Sequence, residues 1–462
     1  MTIIQGGRLV SPKGIEALDI AIEHGVIARV AAGIAPAPGD AVIDARGCLV
    51  FPGFIDAHTH FDMDAGAAVT ADDFASGTAA AIAGGTTCVI DFATQDRGMT
   101  LQEALAIWHR KAEGKSSCDY AFHMAITDWN DGARAALSEM VRAGVTSFKL
   151  YLAYDALRVN DATLLDILRE AGAKGLLVGV HCENGDLVNA LIARERAAGR
   201  LSPAAIPASR PAEVEAEAVA RLCYVAALAS CPVMVVHLST EMGLAAVRAA
   251  RARGQTVLAE TCPHYLTMTD EVYRLPGFES AKYACSPPMR GEADRRALLA
   301  AAASGEIDTI STDHCSFNFK GQKALGREDF SKIPNGLPGV EHRPALIYNL
   351  VREGALTEAQ MCDLLAARPA KLYGMYPRKG ALLPLSDADI VVWEDAEGTI
   401  RAADQHQRVD YTPYEGVRVR GRARAVLLGG EVVCEHGQLI RANLGRYVPR
   451  NLGELTRKED AR

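Results

Sequence analysis

No stretch of apolar residues in this 462-residue chain approaches the roughly 20 that a membrane-spanning helix needs, so a membrane partner is not expected. The amino terminus, MTIIQGGRLVSPKG, lacks a basic segment followed by an apolar one and reads as strand and turn rather than a signal peptide. The eleven cysteines include no CxxC pair. They are scattered, mostly in stretches read as apolar strands such as those of Cys88, Cys182 and Cys285, which suggests reduced buried thiols in a cytoplasmic protein rather than disulfides or a thiolate zinc site. No GxGxxG or GxxxxGK[ST] stands between a strand and a helix, and no GxSxG occurs, so neither a nucleotide cofactor nor a serine-elbow hydrolase is implied. Net charge is -8, and the basic residues are dispersed, RARG and GRARA being too short to form a stripe. A nucleic-acid partner is therefore not expected.

What is present is the composition of a globular enzyme, 49% hydrophobic and 23% charged, with 41 glycines and 20 prolines punctuating many short elements. The length suits a barrel of a few hundred residues with a smaller companion domain. Residues 3 to 50 alternate over short runs (IIQGGRLV, ALDIAIEHG, VIARVAAGI, AVIDARGCLV), and the texture returns in ADIVVWED, GVRVRGRARAVLLGG and EVVCEHGQLI. Both ends thus read as small antiparallel strands of one β-sandwich, contributed by residues 1–50 and 376–447, with 448–462 as a tail. The tail residues NLGELTRKEDAR mix charges, and sequence leaves open whether they are disordered or cross to a neighbouring subunit.

Between about 51 and 375, eight apolar strands alternate with alanine-rich helical segments such as GARAALSEMVRAG and DATLLDILREAGAKG. The strands are VFPGFIDAH, TTCVIDFA, DYAFHMAI, VTSFKLYLA, LLVGVHC, PVMVVHLS, TVLAETC and IDTISTD. The expected fold class is α/β, a (β/α)8 TIM barrel with a small β-sandwich from both termini; periodicity alone leaves a doubly wound sheet open.

Polar residues gather at the carboxyl ends of these strands, the face on which barrel enzymes build their sites. Strand one ends in HTH, giving His58 and His60 on one side of an extended segment. Strand five ends at His181, strand six at His237 and strand eight at Asp313. Imidazoles and a carboxylate suit zinc or a similar divalent ion, manganese and cobalt fitting the same donors. Lone strand histidines such as His123, and His24, His109, His406 and His436, are read as ordinary structural residues. Five ligands are too few for two closed shells and too many for one open site. Lys149, in the apolar run VTSFKLYLAY, resolves the count if carbon dioxide adds to its neutral amine, since the carbamate would offer one oxygen to each of two metals and remove a costly buried ammonium.

The motifs HTH at 58–60, FKLYLAY at 148–154, His181, His237 and TDHC at 312–315 resemble the binuclear metal-dependent amidohydrolases, in particular the hydantoinase and dihydropyrimidinase branch. SRP at 209–211, ETCPHYL at 260–266, SPPMR at 286–290, IPNGLPGVEHR at 333–343 and PAKLYGMYPRKG at 369–380 extend the likeness from about residue 3 to 447. The resemblance implies that His58, His60 and Asp313 hold one metal, His181 and His237 the other, and N6-carboxylysine at Lys149 bridges them. It further implies hydrolysis of a cyclic amide, a 5-substituted hydantoin or 5,6-dihydropyrimidine, to an N-carbamoyl amino acid by a metal-bridging hydroxide. Asp313 would shuttle the proton, Tyr154 would steady the oxyanion, and Tyr154, Ser286 and Asn335 would bind substrate. Alternatives are an allantoinase-like ureide hydrolase and a non-catalytic scaffold of the same fold, against which the complete ligand set argues. FDMDAGAA at 61–68 has Asp64 and Ala65 where the family commonly carries a proline and a bulky aromatic, so an aryl side-chain preference is not carried over. Tyr151, Leu152 and Leu157 are candidates to wall an apolar pocket. Relatives are commonly tetramers, which implies a homo-oligomer.

Overall fold

The computed structural model describes residues 1–454; the remainder of the charged tail lies outside the described residues. Eight strands form one parallel sheet in sequential order: β1 (Phe54–Thr59), β2 (Thr86–Thr94), β3 (Asp119–Ala125), β4 (Ser147–Tyr151), β5 (Leu177–His181), β6 (Val233–Val235), β7 (Val257–Thr261) and β8 (Thr309–Ile310). A parallel bridge between Thr59 and His314, with the His60 N–H donating to the His314 carbonyl at 2.8 Å, brings the last strand back to the first and closes the barrel. The doubly wound alternative is thereby excluded.

The sequence explains why the strands sit there. They are buried on both faces, the outward residues packing under helices and the inward ones filling the barrel. Six of the following helices open with a side-chain cap (Asp73, Thr100, Asn130, Asn160, Asn184 and Thr240), each accepting an otherwise unpaired helical N–H. Chain reversal above the barrel is thus fixed by local chemistry, and the carboxyl ends of the strands are left free to carry function.

The sandwich is built from both ends of the chain. In its seven-stranded sheet Ile390–Glu394 runs antiparallel to Leu49–Pro52, Val392 facing Val50, so that the two termini are joined by backbone ladders. A four-stranded sheet lies against it, and Ile4, Ile20, Ile22, Ile27, Val50, Ile390, Val392 and Leu427 share the core. Several readings are corrected here. VFPGFIDAH is two strands, Leu49–Pro52 in the sandwich and β1 in the barrel, with Gly53 between them. The strands of the amino-terminal part are mixed rather than antiparallel, because Thr2–Gln5 runs parallel to Ala41–Asp44 and Arg8–Ser11 parallel to Leu49–Pro52. Arg418–Val419 leaves the sandwich to pair with Gly398–Thr399. Cys285 lies outside any strand, although all eleven cysteines are buried and unpaired.

Two features brace the end of the barrel opposite the strand carboxyl termini. Lys379 places Nζ within 2.5 to 2.8 Å of Asp119 on β3 and of Asp387 and Asp389 beside the sandwich, so one buried ammonium joins the domains. Residues 445–451 then return across the barrel: Tyr120 bridges Tyr447, and the buried Arg450 guanidinium donates to Ser147 Oγ at 2.8 Å and to the Phe122 carbonyl. The described part of the tail therefore packs on its own barrel, the Asn451 N–H donating to the Gly374 carbonyl at 3.2 Å.

Candidate metal centre and active site

Period-two geometry puts His58 and His60 on the same face, ring centroids 5.2 Å apart, while Thr59 between them turns the other way to donate to Asp91 at 2.8 Å. On β4 the same alternation sends Phe148 and Leu150 into the hydrophobic core and Lys149 to the barrel interior. Its ammonium lies 4.9 Å from the centroid of the Phe92 ring and 5.3 Å from that of Tyr151. No carboxylate among the described residues forms an ion pair with it, and burial pushes its pKa down to about 8. Its charge acts against protonation of His58, His60, His181 and His237, so one amine faces all four imidazoles.

The donor atoms converge in two groups. His58 Nε2 and His60 Nε2 stand 3.1 and 3.2 Å from Asp313 Oδ1, and His181 Nδ1 stands 3.0 Å from His237 Nε2. These separations are close to the ligand–ligand edge of about 3.3 Å that zinc–nitrogen bonds of about 2.0 Å impose on a tetrahedron. The tautomers support a cation as well. Glu260 on β7 accepts from His58 Nδ1 at 2.6 Å, and Glu183 accepts from His181 Nε2 at 2.8 Å. His181 Nδ1 then faces His237 Nε2, and His58 Nε2 makes no hydrogen bond of acceptable geometry despite its proximity to Asp313. His237 Nδ1 is likewise buried without a partner. Buried ring nitrogens without partners beside a carboxylate are costly unless a cation lies among them. The residues fit two divalent ions.

Electrostatics follow from the same packing. Burial opposes charge on Asp313, but His58 and His60 prevail and hold its carboxyl well below the usual range. Burial also works against His58, whose pKa is nonetheless raised by Glu260 and Asp313; His60, with burial dominant, falls to about 4. Tyr154, pushed up to about 12 by burial, keeps its phenol protonated at neutral pH. Three of these residues sit in the left-handed backbone region, Tyr154 at φ 68°, His237 at φ 40° and Asp313 at φ 52°. Such conformations persist where surrounding contacts over-determine them, and they cluster at functional sites.

Tyr154 stands over the His181 ring at 5.2 Å between centroids, and Ser286 is buried on the loop after β7. Asn335 is partly buried on a loop whose Leu337 carbonyl accepts from the Cys315 N–H at 3.0 Å. Asp64 and Ala65 are exposed, Tyr151 is buried, Leu157 is half-buried, and Leu152 packs into the main core. His123 has both ring nitrogens satisfied, by Ser147 Oγ at 2.6 Å and the Ala57 carbonyl at 2.9 Å, as an ordinary structural histidine should.

Sequence reasoning missed four supporting residues. Glu260 Oε1 also accepts from the His237 N–H at 3.3 Å, tying a donor of each group to one carboxylate. Glu183 is held to about 2, against burial, by the Arg210 guanidinium beside it and by His181. Phe92 forms the floor, with His58, His60 and His123 rings 4.6 to 4.9 Å from its own. Lys323 is buried beside the loops of Ser286 and Asn335. The one available signal was period two: Glu183 follows His181 as His60 follows His58.

A closed parallel barrel with clustered histidines and an aspartate at the strand ends defines the class of barrel hydrolases that work through bound metal. The sequence model of the Amidohydrolase family matches residues 49–433. The chain belongs to the amidohydrolase family. It is 43% identical over 440 residues to D-hydantoinase of Ralstonia pickettii, covering 95% of this chain and 96% of that one, and 42% identical over 442 residues to D-hydantoinase of Rhizobium radiobacter, covering 95% and 96%. The solved structure of dihydropyrimidinase from Brevibacillus agri superposes with a TM-score of 0.96 at 39% identity, covering 98% of this chain and 99% of that one.

Proposed function

We propose that this enzyme opens the ring of a 5-substituted hydantoin or a 5,6-dihydropyrimidine by hydrolysis, giving the N-carbamoyl amino acid. The observation that carries this reading is the convergence of His58, His60 and Asp313 on one point and of His181 and His237 on another, around a buried lysine that no carboxylate among the described residues pairs with. In it, His58, His60 and Asp313 hold one divalent ion and His181 and His237 the second. Lys149, carboxylated by CO2 to N6-carboxylysine, would supply the anionic ligand shared by the two ions. Zinc is the first choice for these donors, manganese and cobalt being compatible. When bound, such ions supply water acidic enough to attack at neutral pH and positive charge for the carbonyl oxygen.

The chain's own residues do the rest. Main-chain groups at Ser286 and Asn335 hold the ring amide, and the Tyr154 phenol donates to the oxygen on which negative charge develops. Asp313, kept ionised, accepts the proton of the attacking water and delivers it to the departing ring nitrogen. The C–N bond breaks, the carbonyl carbon gains the hydroxyl, and a carboxylate and a ureido group result. Glu260 and Glu183 fix the tautomers of His58 and His181. The proposed domains follow the sequence reading, 1–50 and 376–447 for the sandwich and 51–375 for the barrel, except that the first limit moves to Gly53 because Leu49–Pro52 is a sandwich strand. A homotetramer, by family resemblance, in the cytoplasm completes the proposal, and eleven free buried thiols support a reducing compartment.

The test is metal analysis of the purified protein together with rates on hydantoin, 5-phenylhydantoin, dihydrouracil, allantoin and dihydroorotate. Two divalent ions per chain and turnover of the first three rings are expected. Preference for allantoin or dihydroorotate, or a metal-free and inert protein, would overturn the reading.

A further inference from the structure

Lys323 is a fully buried lysine that the reaction above does not use. It begins a short turn ten residues beyond Asp313, with its own N–H donating to the Asn318 carbonyl at 2.9 Å. No carboxylate among the described residues pairs with it. Its ammonium instead meets three main-chain carbonyls, Ala284 at 3.0 Å, Pro334 at 2.9 Å and Gly336 at 2.9 Å. Three donors on three acceptors saturate the group, and burial lowers its pKa to about 8.

The identity of those carbonyls is what matters. Pro334 and Gly336 flank Asn335 on both sides, and Ala284 lies two residues before Ser286. The same Ala284 carbonyl also accepts the Gly336 N–H at 3.0 Å, so the two segments are cross-tied at one point. The joint admits no side chain at position 336: Gly336 has φ +148°, and a Cβ there would come within 2.3 Å of the Cys315 carbonyl oxygen. Residue 315 is only two beyond Asp313. One ammonium therefore ties both segments assigned to hold the substrate ring into the loop that carries the proton shuttle.

We propose that Lys323 is a positioning residue for substrate, fixing the peptides at Ser286 and Asn335 at the spacing a planar cyclic amide requires. This rests on the reading that those two peptides hold the ring. A lysine suits the task because its compact ammonium can point three donors at three converging oxygens, which the planar fork of arginine cannot do. Contacts it positions are made to substrate and transition state alike, so their loss appears in KM more than in kcat.

The experiment compares metal-loaded wild type with Lys323→Met and Lys323→Gln, using hydantoin, dihydrouracil and N-methylated hydantoins, alongside metal content and hydrogen exchange over 333–338. Wild type should discriminate against N-methylation; if it does not, the ring-holding reading fails by itself, and this inference with it. Given that discrimination, Lys323→Met should raise KM on the order of tenfold, with kcat falling far less, metal content unchanged and the Gly336 amide exchanging faster. Lys323→Gln, which keeps two N–H donors, should lie between. Should Lys323→Met fail to fold, Lys323→Gln is judged alone. An unchanged KM, a fall in kcat at constant KM, or failure of both variants to fold would overturn the assignment, the last by making Lys323 a core residue only.

Discussion

Lys149→Met has opposite consequences in the metal-free and metal-loaded protein, and the structure sets the size of both. With no metal and no bound CO2, the wild-type chain buries an ammonium that has no carboxylate partner among the described residues, and its pKa drops from 10.5 to about 8. A shift of that size corresponds to about 3 kcal/mol against the charged form. Because the folded pKa lies below the unfolded one, the penalty is fully present below about pH 8 and fades as pH rises toward 10.5. Methionine fills a similar volume without the charge. The metal-free variant should therefore be more stable than metal-free wild type at pH 7, by an amount approaching about 3 kcal/mol, and the difference should shrink above pH 8. In the loaded state the order reverses, since the variant cannot form the carbamate: it should lose bound metal, activity and the stabilisation that metal confers. Denaturant unfolding with and without chelator, metal analysis, and 13C NMR after exposure to labelled bicarbonate measure the three quantities. If metal-free Lys149→Met were no more stable than its parent, the unpaired-ammonium argument would be wrong. If the loaded variant kept two ions and full turnover, the bridge would be wrong.

Tyr154→Phe should lower kcat by about a hundredfold through loss of one donor to the oxyanion, with metal content unchanged, and steady-state kinetics showing undiminished kcat would remove Tyr154 from that role. Lys379→Met should destabilise the protein by about 3 to 5 kcal/mol because it leaves Asp119, Asp387 and Asp389 facing one another. In wild type the Lys379 pKa is held well above 10.5, against burial, by these carboxylates, so its contribution is complete below that pH and lost only above it. Asp389 is already raised by burial, and in the variant its folded pKa rises further, so the added cost should shrink as pH falls from 7 toward 4.5; unfolding midpoints across that range that track wild type in parallel would refute this.

Legibility followed the range over which each cause acts. The barrel could be read because buried parallel strands and capped helices are local patterns, and HTH could be read because alternation puts residues two apart on one side. Strand limits were less readable: VFPGFIDAH is continuous as a hydrophobic run, and only the pairing of Val50 with Val392, more than three hundred residues away, divides it at Gly53. Glu260, Phe92 and Lys323 were hidden for the same reason, whereas Glu183 stands two residues from His181 and carried a local signal.

Residue type and spacing sufficed for an α/β chain of alternating strands and helices, for the strand-end histidines and aspartate, and for a lysine where no ammonium is comfortable, while barrel closure over a doubly wound sheet rested on the Thr59–His314 bridge. Only the tertiary structure decided that Glu260 orients His58 across 202 residues, that Lys323 joins the Ser286 and Asn335 segments, and that Arg450 returns beneath the barrel. Hydrogen bonds between distant segments depend on how closed strands place their loops, and chain spacing carries no record of that distance.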